Sequence, residues 1–224
     1  MAITVNLAAA DPPWKKLGTR LTPQGTLCRT VELRSDSWER TNWGLLVGRG
    51  NGSASLAYNS DGGSLERYAQ RSVRYYFWTL TLWDISNIVL PGSGVSLYVD
   101  HRSKEYQVLH GASKGQPVWD PEDADCSTVA KGLGAPRRFG QAQIAGFLSF
   151  GYTGWVSEAE RSTLFLAPSL GCTLMKSTEE TFGSAGSVVA HHQIEVTMVR
   201  IGEPDPKLFE VPPDYHRRSN RLPH

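Results

Sequence analysis

Residues 164–180, LFLAPSLGCTLMKSTEE, and residues 191–215, HHQIEVTMVRIGEPDPKLFEVPPDY, decide the fold of this 224-residue chain. In the first stretch, the apolar run before Pro168 must end there, because proline has no N–H to donate to a β-ladder. The chain becomes apolar again after Gly171, so this stretch predicts a β-hairpin. In the second stretch, an apolar side chain recurs at every second position from Ile194 onward. That period of two is typical of a strand with one buried face.

The same alternation extends towards the N-terminus. Residues 95–100 alternate, a polar turn follows at 101–104, and alternation resumes over 105–108. This pattern predicts a second hairpin with one face in water. Further strands are predicted at 26–33, 43–47, 53–58 and 141–151, with the turn-rich sequence GRGNGS between the second and the third, and with residues 59–63 as a hairpin turn.

Two segments are less regular. The aromatic run at 75–78 favours a strand within 64–90, and a short helix within 78–88 is equally compatible with the periodicity. Residues 111–138 form a polar loop that is long for a compact domain, and such loops are usually functional or pinned by a crosslink. The sequence thus predicts an all-β or β-dominated fold, a curled antiparallel sheet with at most one short helix.

The composition restricts both the organisation and the partners. The net charge is +1, with 40% hydrophobic and 20% charged residues, which is typical of one globular domain. We predict an irregular lead-in over 1–25, a single β domain over 26–215 and a flexible basic tail over 216–224. The low net charge argues against nucleic acid as a partner. No apolar run is long enough to form a transmembrane helix.

The cysteines and the N-terminus bear on the compartment. Cys28, Cys126 and Cys172 would all be buried thiols in a reducing compartment, whereas two of them would pair in an oxidising one. No CxxC motif or Cys/His spacing predicts a metal site, and no motif predicts a cofactor. The chain begins with a weak apolar block that ends at residues 8–10, and no basic residue precedes it. This pattern favours a frayed or trimmed terminus over a signal peptide.

Four segments carry a resemblance to a known group. They are residues 95–109 (VSLYVDHRSKEYQVL), 120–127 (DPEDADCS), 164–176 (LFLAPSLGCTLMK) and 202–215 (GEPDPKLFEVPPDY). In this order they resemble uncharacterised secreted bacterial proteins of the acidobacterial type, which are distantly similar to the lipoprotein-carrier (LolA/LolB-like) β fold. The resemblance implies an open half-barrel, export to the periplasm or beyond, and a Cys126–Cys172 disulfide. It does not imply lipoprotein transport, and this chain departs from the group in carrying Cys28 and in lacking a clear export signal.

Several residue pairs suggest chemistry, and each has a simpler interpretation. The acidic residues at 120–125 lack the spacing of an EF-hand, so a solvated turn is the better interpretation. His191 and His192 are neighbours on a predicted strand and therefore point to opposite faces. Glu158 and Glu160 share one predicted strand face in a polar segment, and no G-x-S-x-G elbow is present.

The aromatic content is the sequence feature most relevant to function. Large aromatic side chains mostly fill cores, yet some line concave ligand cavities. We predict an apolar lining composed of Trp78, Trp83, Leu97, Val99, Phe147 and Phe165. The leading hypothesis is an exported, non-enzymatic protein that binds a hydrophobic or amphipathic small molecule or lipid. The alternatives are a hydrolase of ester or glycosidic bonds that uses carboxylate or histidine residues of the 100–126 region, with His101, Asp120 and Asp123 as the positions to test, and an interaction module of the cell envelope.

Overall fold

A computed structural model of the chain describes residues 28–74, 79–90, 93–110 and 125–218. Within these residues the protein is one twelve-stranded sheet with a single short α-helix, which confirms the predicted fold class. The strands are β1 Arg29–Arg40, β2 Leu46–Tyr58, β3 Ser64–Arg74, β4 Thr79–Val89, β5 Val95–Asp100, β6 Glu105–His110, β7 Arg137–Ile144, β8 Phe147–Ser157, β9 Glu160–Ala167, β10 Thr173–Phe182, β11 Val188–Ile201 and β12 His216–Arg217.

Helical structure in the described residues is confined to short segments. The α-helix, α1, is Ser127–Ala130, and the 3-10 turns are Lys131–Leu133, Pro168–Leu170 and Pro206–Phe209. The described part of the chain contains no helix that is both long enough and apolar enough to cross a bilayer.

The sheet consists of two antiparallel meanders joined side by side. Its order is β12-β6-β5-β4-β3-β2-β1-β11-β10-β9-β8-β7, and the pairing of β1 with β11 joins the two meanders. Every pairing is antiparallel except that of β12 with β6. The edge strands β7 and β12 do not pair with each other, so the sheet is open.

The sheet is strongly curled. Ser72 on β3 and Glu160 on β9 line one cavity of about 260 Å³, although four strands lie between them. In a flat sheet these strands would be about 24 Å apart, because neighbouring strands are spaced by about 4.8 Å. The face that carries this cavity is therefore concave, and the opposite face is convex.

One half of the concave face is filled; we call it the packed half. Val31, Leu33, Leu56, Ile194 and Val196 are buried there in one cluster. Ile144 at the end of β7, Phe147 at the start of β8 and Leu170 in the β9–β10 connection pack against the same cluster. Burial of these side chains, at roughly 25 cal/mol per Å² of apolar surface, is the main force that holds the curl.

The convex face has its own core beneath the C-terminal segment. Ala57, Leu65, Ile88 and Val99 are buried in one cluster with Phe209, the last residue of the 3-10 turn Pro206–Phe209. The chain then continues into β12, whose residues His216 and Arg217 pair with β6. These two residues fall in the segment that the sequence assigned to a flexible tail. They are ordered because Tyr215, just before them, packs against the convex core.

The hairpin predictions at 95–108 and 164–176 are confirmed, and so is the turn at Asn59–Gly63. Two predictions were wrong. The segments 43–47 and 53–58 are not separate strands, since β2 runs through GRGNGS without a turn. The short helix that the sequence left open within 78–88 does not form over 79–88, because β4 occupies these residues in register with β3. The lead-in at 1–25 and most of the loop at 111–138 lie outside the described residues.

Candidate functional site

The other half of the concave face is open and contains the cavity of about 260 Å³, which we call the groove. Directly paired residues of neighbouring strands share a face, so the register identifies the side chains that point into it. Its concave-face lining consists of Ser37, Glu39, Gly48, Gly50, Ser72, Glu160, Glu179, Thr181, Ala190 and His192. These residues come from β1, β2, β3, β9, β10 and β11, so the site exists only once both meanders have joined.

The glycines of β2 make the groove possible. Gly48, Gly50 and Gly52 face the concave side at every second position. A Cβ at Gly50 would lie 2.7 Å from Oγ of Ser37, and one at Gly52 would lie 2.8 Å from Oγ of Ser35. Because real Cβ atoms do not approach so closely, larger residues would push β1 and β2 apart or flatten the curl. Glycine in a strand marks a close approach of backbone and neighbour.

His192 lies where the groove meets the packed half. It also lines a smaller cavity of about 30 Å³ together with the apolar residues Leu33, Ala54 and Ile194. Its Nε2 is buried and has no hydrogen-bond partner among the described residues. Burial, and secondarily the neighbouring His191, lower the pKa of His192, so the ring is neutral near pH 7. A neutral imidazole can donate one hydrogen bond and accept another, which suits it to an uncharged polar group.

The rest of the groove is polar. Glu39, Glu160 and Glu179 supply carboxylates, and Ser37 and Ser72 supply hydroxyls. Hydroxyls donate and accept hydrogen bonds, whereas ionised carboxylates only accept them. The described residues contain no group of three or more His, Cys, Asp or Glu side chains that could hold a metal ion. The hydroxyls and carboxylates of the groove therefore offer hydrogen bonds to a ligand.

A Ser–His contact occurs on the convex face. Ser86 Oγ lies 2.7 Å from His101 Nε2, and the Tyr215 hydroxyl lies 2.9 Å from His101 Nδ1. Burial, followed by the charge of Arg67, lowers the pKa of His101. Ser86 is only 2% exposed, and a phenol rather than a carboxylate orients the ring. The arrangement fastens the C-terminal segment to β4 and lacks an accessible nucleophile.

A buried polar cluster lies in the packed half. The Tyr68 hydroxyl donates to Glu66 Oε2 at 2.6 Å, and Arg29 lies over the Tyr58 ring at 5.2 Å. Burial, followed by the charge of Glu66, raises the pKa of both Tyr58 and Tyr68, so both phenols stay protonated. This cluster is enclosed, and we assign it to the core.

The described residues of the predicted apolar lining lie in different parts of the sheet. Trp83 is on the concave face, paired with Gln70 next to the groove, and is 37% exposed. Leu97 and Val99 belong to the convex core, Phe147 to the packed half, and Phe165 packs against Phe139. Trp78 lies outside the described residues. The sequence reasoning missed Ser37, Ser72 and the β2 glycines, whose signal was the spacing of Gly48, Gly50 and Gly52.

The remaining candidate residues also have definite places. Cys126 and Cys172 form a disulfide, as the resemblance implied, and Cys28 is a free thiol. His191 faces the convex side, stacked on Trp38, while His192 faces the groove. Glu158 lies in the β8–β9 turn and not on a strand face with Glu160, because β8 already ends at Ser157. Asp120 and Asp123 lie outside the described residues.

Comparison with known proteins gives similarities of fold only. No known family matches the sequence, and no curated protein matches it. Similar solved structures include the MucA/MucB complex of Pseudomonas aeruginosa (14% identity, 87% of this chain, 62% of that chain, TM-score 0.43). They also include LprF from Mycobacterium bovis (12% identity, 84% of this chain, 90% of that chain, TM-score 0.38). A third is a candidate outer membrane lipoprotein-sorting domain from Vibrio parahaemolyticus (8% identity, 88% of this chain, 94% of that chain, TM-score 0.23). The secreted proteins that the sequence resembles are distantly similar to this lipoprotein-carrier fold.

The chain thus spans less than two thirds of the first of these proteins. All three TM-scores are below 0.5, so the likeness carries no argument about the ligand or the partner of this chain.

Proposed function

We propose that this protein is a non-catalytic binding protein that holds an amphipathic ligand in the groove. The observation that carries the proposal is the division of the concave face into a packed apolar half and an open polar half. At their boundary, the groove and the smaller apolar cavity share His192. A ligand at this boundary meets hydrogen-bonding groups on one side and the apolar residues Leu33 and Ile194 on the other.

The size of the groove narrows the ligand further. Small-molecule pockets usually measure about 300–1,000 Å³. The groove, at about 260 Å³, is slightly smaller and is lined by hydroxyls and carboxylates. It therefore suits a small polar molecule or the polar head group of a larger amphipathic one. A wholly apolar ligand would leave the carboxylates of Glu160 and Glu179 desolvated, which is unfavourable.

We also propose that the protein is exported to the periplasm or beyond. Disulfides persist in oxidising compartments and are rare in the reducing cytosol. The Cys126–Cys172 disulfide joins α1 to the β9–β10 connection and is completely buried. Both the helix and the connection are part of the core, so the bond belongs to the folded architecture.

The hydrolase hypothesis receives less support from the described residues. Of the three positions named for testing, the described residues include His101, and its contacts attach the C-terminal segment to the sheet. The neighbouring hydroxyl, Ser86, is buried within β4. We therefore propose binding in the groove without turnover.

The test is native mass spectrometry of freshly purified protein, followed by organic extraction and identification of the released molecules. The decisive variant is Thr181→Trp, which places a large ring at the groove. The control is Thr197→Trp, an equally exposed threonine on the opposite face of β11. We expect a co-purified amphipathic molecule in the wild type and the control, and its loss in Thr181→Trp. Equal retention in both variants would contradict binding in the groove.

A further inference from the structure

The tip of the β1–β2 hairpin, at the groove's end of the sheet, exposes a large aromatic side chain. Trp43 is 95% exposed and Leu45 is 55% exposed. The turn itself is well formed, since the Thr41 N–H donates to the Leu45 carbonyl and the Gly44 N–H donates to the Thr41 carbonyl, both at 2.8 Å. Gly44 has a φ of +83°, which glycine adopts without strain. The hairpin therefore holds Trp43 out in a defined position.

The convex face next to this tip combines apolar and basic side chains. Arg49 pairs with Val73, which in turn pairs with Leu80, so all three share the convex face. In the next row, Arg71 pairs with Leu82. Leu80 is 51% exposed, and both arginines are exposed. Arginine and exposed leucine thus alternate across neighbouring strands.

The charge of this surface is positive. Arg40, Arg49 and Arg71 are exposed and take part in no ion pair with the described residues, while Arg40 also lies over the Trp38 ring at 4.8 Å. Asp36 is the acidic residue in the same rows of β1 to β3. Glu39, although adjacent to Arg40, points into the groove instead. Three arginines against one aspartate make a local field that attracts anions.

We propose that this surface docks the protein on an anionic lipid bilayer. The basic–apolar patch consists of Arg40, Trp43, Leu45, Arg49, Arg71 and Leu80. Tryptophan is favoured at the bilayer interface because its ring is apolar and its N–H is polar. Arginines near an anionic surface each add attraction, and apolar side chains bury themselves at the head-group boundary. Because the patch lies at the groove's end of the sheet, docking brings the groove next to the bilayer.

The apolar members of the patch favour a bilayer over a soluble polyanion. A polyanion in solution gains from Arg40, Arg49 and Arg71 but has no apolar phase to accept Trp43 and Leu45. The exposed ring at the hairpin tip would then remain in water. A bilayer accommodates both kinds of side chain at once. The partner is therefore a lipid surface, and a soluble polyanion becomes an outcome that the experiment must detect.

The first arm of the test measures charge. Full-length protein is floated with vesicles of phosphatidylcholine alone and with vesicles that also contain phosphatidylglycerol. We expect binding to the anionic vesicles only, weakening as salt is raised. The triple variant Arg40→Gln/Arg49→Gln/Arg71→Gln should bind about a hundredfold more weakly, at roughly fivefold for each arginine. The matched triple Arg200→Gln/Arg217→Gln/Arg218→Gln, with equally exposed residues outside the patch, should bind like the wild type.

The second arm measures apolar insertion. The double variant Trp43→Ser/Leu45→Ser should bind anionic vesicles at least about tenfold more weakly, because buried apolar surface is lost. Ile201→Ser, 57% exposed at the other end of the sheet, is the control. Circular dichroism confirms that every variant is folded. Absence of wild-type binding, or equal binding by both arginine triples, overturns the proposal. Loss of binding in the arginine triple without loss in Trp43→Ser/Leu45→Ser overturns docking by apolar insertion and leaves a purely electrostatic surface, which a soluble polyanion would fit equally well.

Membrane docking and the groove proposal can fail separately. Thr181→Trp fills the groove but leaves every residue of the patch unchanged, so it should bind vesicles like the wild type. Trp43→Ser/Leu45→Ser changes no residue that lines the groove, so this variant should in turn retain any ligand already bound there. If Thr181→Trp abolishes vesicle binding, the lipid contact lies in the groove and not on the patch.

Discussion

The two halves of the concave face belong to the same strands yet serve different purposes. Along β1 and β2, the packed half carries Val31, Leu33 and Leu56, whereas the open half carries Ser35, Ser37, Gly50 and Gly52. Side-chain size changes from large to small within a few residues. A curled sheet leaves limited room on its concave side, so large apolar residues fill it and small ones leave a cavity. The groove therefore exists because small residues occupy this part of the concave face and leave its space unfilled.

The largest expected effect is a difference in stability between variants of the packed half and variants of the open half. Leu56→Ala in the packed half should lower the free energy of unfolding by about 2–5 kcal/mol, since a cavity forms where Leu56 was buried. Ser72→Ala in the open half should change it by less than about 0.5 kcal/mol. Urea denaturation followed by circular dichroism measures both. Similar losses for the two variants would mean that the groove is a strained part of the core and not a preformed site.

The second prediction concerns the Cys126–Cys172 disulfide. The disulfide closes a sequence separation of 46 residues, and Cys126 and Cys172 pack against Leu164 and Leu166. Cys126→Ser/Cys172→Ser should lower the free energy of unfolding by about 2–4 kcal/mol, because the unfolded chain gains freedom.

Cys28→Ser is the matched control, since Cys28 is the free thiol, and it should have little effect. Thermal melting under non-reducing conditions gives the comparison. Ligand retention in the groove should survive loss of the disulfide at temperatures where the protein remains folded. An effect of Cys28→Ser as large as that of the double variant would place the stabilising crosslink elsewhere.

The packed half and its hairpins were the predictable part of the molecule. Ile194 and Val196 alternate with polar residues, and Pro168 and Gly171 mark a connection, so the local pattern alone indicates β11 and the β9–β10 hairpin. These signals work because burial of one sheet face imposes a period of two on the sequence. The resemblance supplied the Cys126–Cys172 pairing, which spacing alone left open.

The groove was less predictable, for two physical reasons. Its residues come from six strands, so Ser72 and Glu160 become neighbours only through tertiary curling. Aromatic residues were expected to line the cavity, yet Phe147 packs, partly buried, against the cluster of the packed half. Glycine in GRGNGS usually indicates a turn. In this strand it indicates close approach of β1 and β2 on the concave side.

The smallest expected effect is a pH dependence that distinguishes the two faces. The folded protein holds the pKa of His192 below the ordinary value of 6.5, chiefly because the ring is buried at the inner end of the groove. The unfolded chain therefore binds a proton more readily than the folded chain. Stability is retained above about pH 6.5 and falls as the pH drops from there through the lowered folded pKa.

His101, on the convex face, also makes the folded protein less stable as the pH falls, since its pKa is also lowered by burial. We expect the melting temperature of the wild type to fall between about pH 7.5 and about pH 5.5, and each of His192→Asn and His101→Asn to reduce part of that fall. Because His192 borders the groove and His101 does not, acid should weaken ligand retention through His192 alone. Ligand retention measured across this pH range should therefore become flatter in His192→Asn and remain unchanged in His101→Asn. A flatter retention profile in His101→Asn instead would mean that the His101 contacts on the convex face, and not the groove, control release of the ligand.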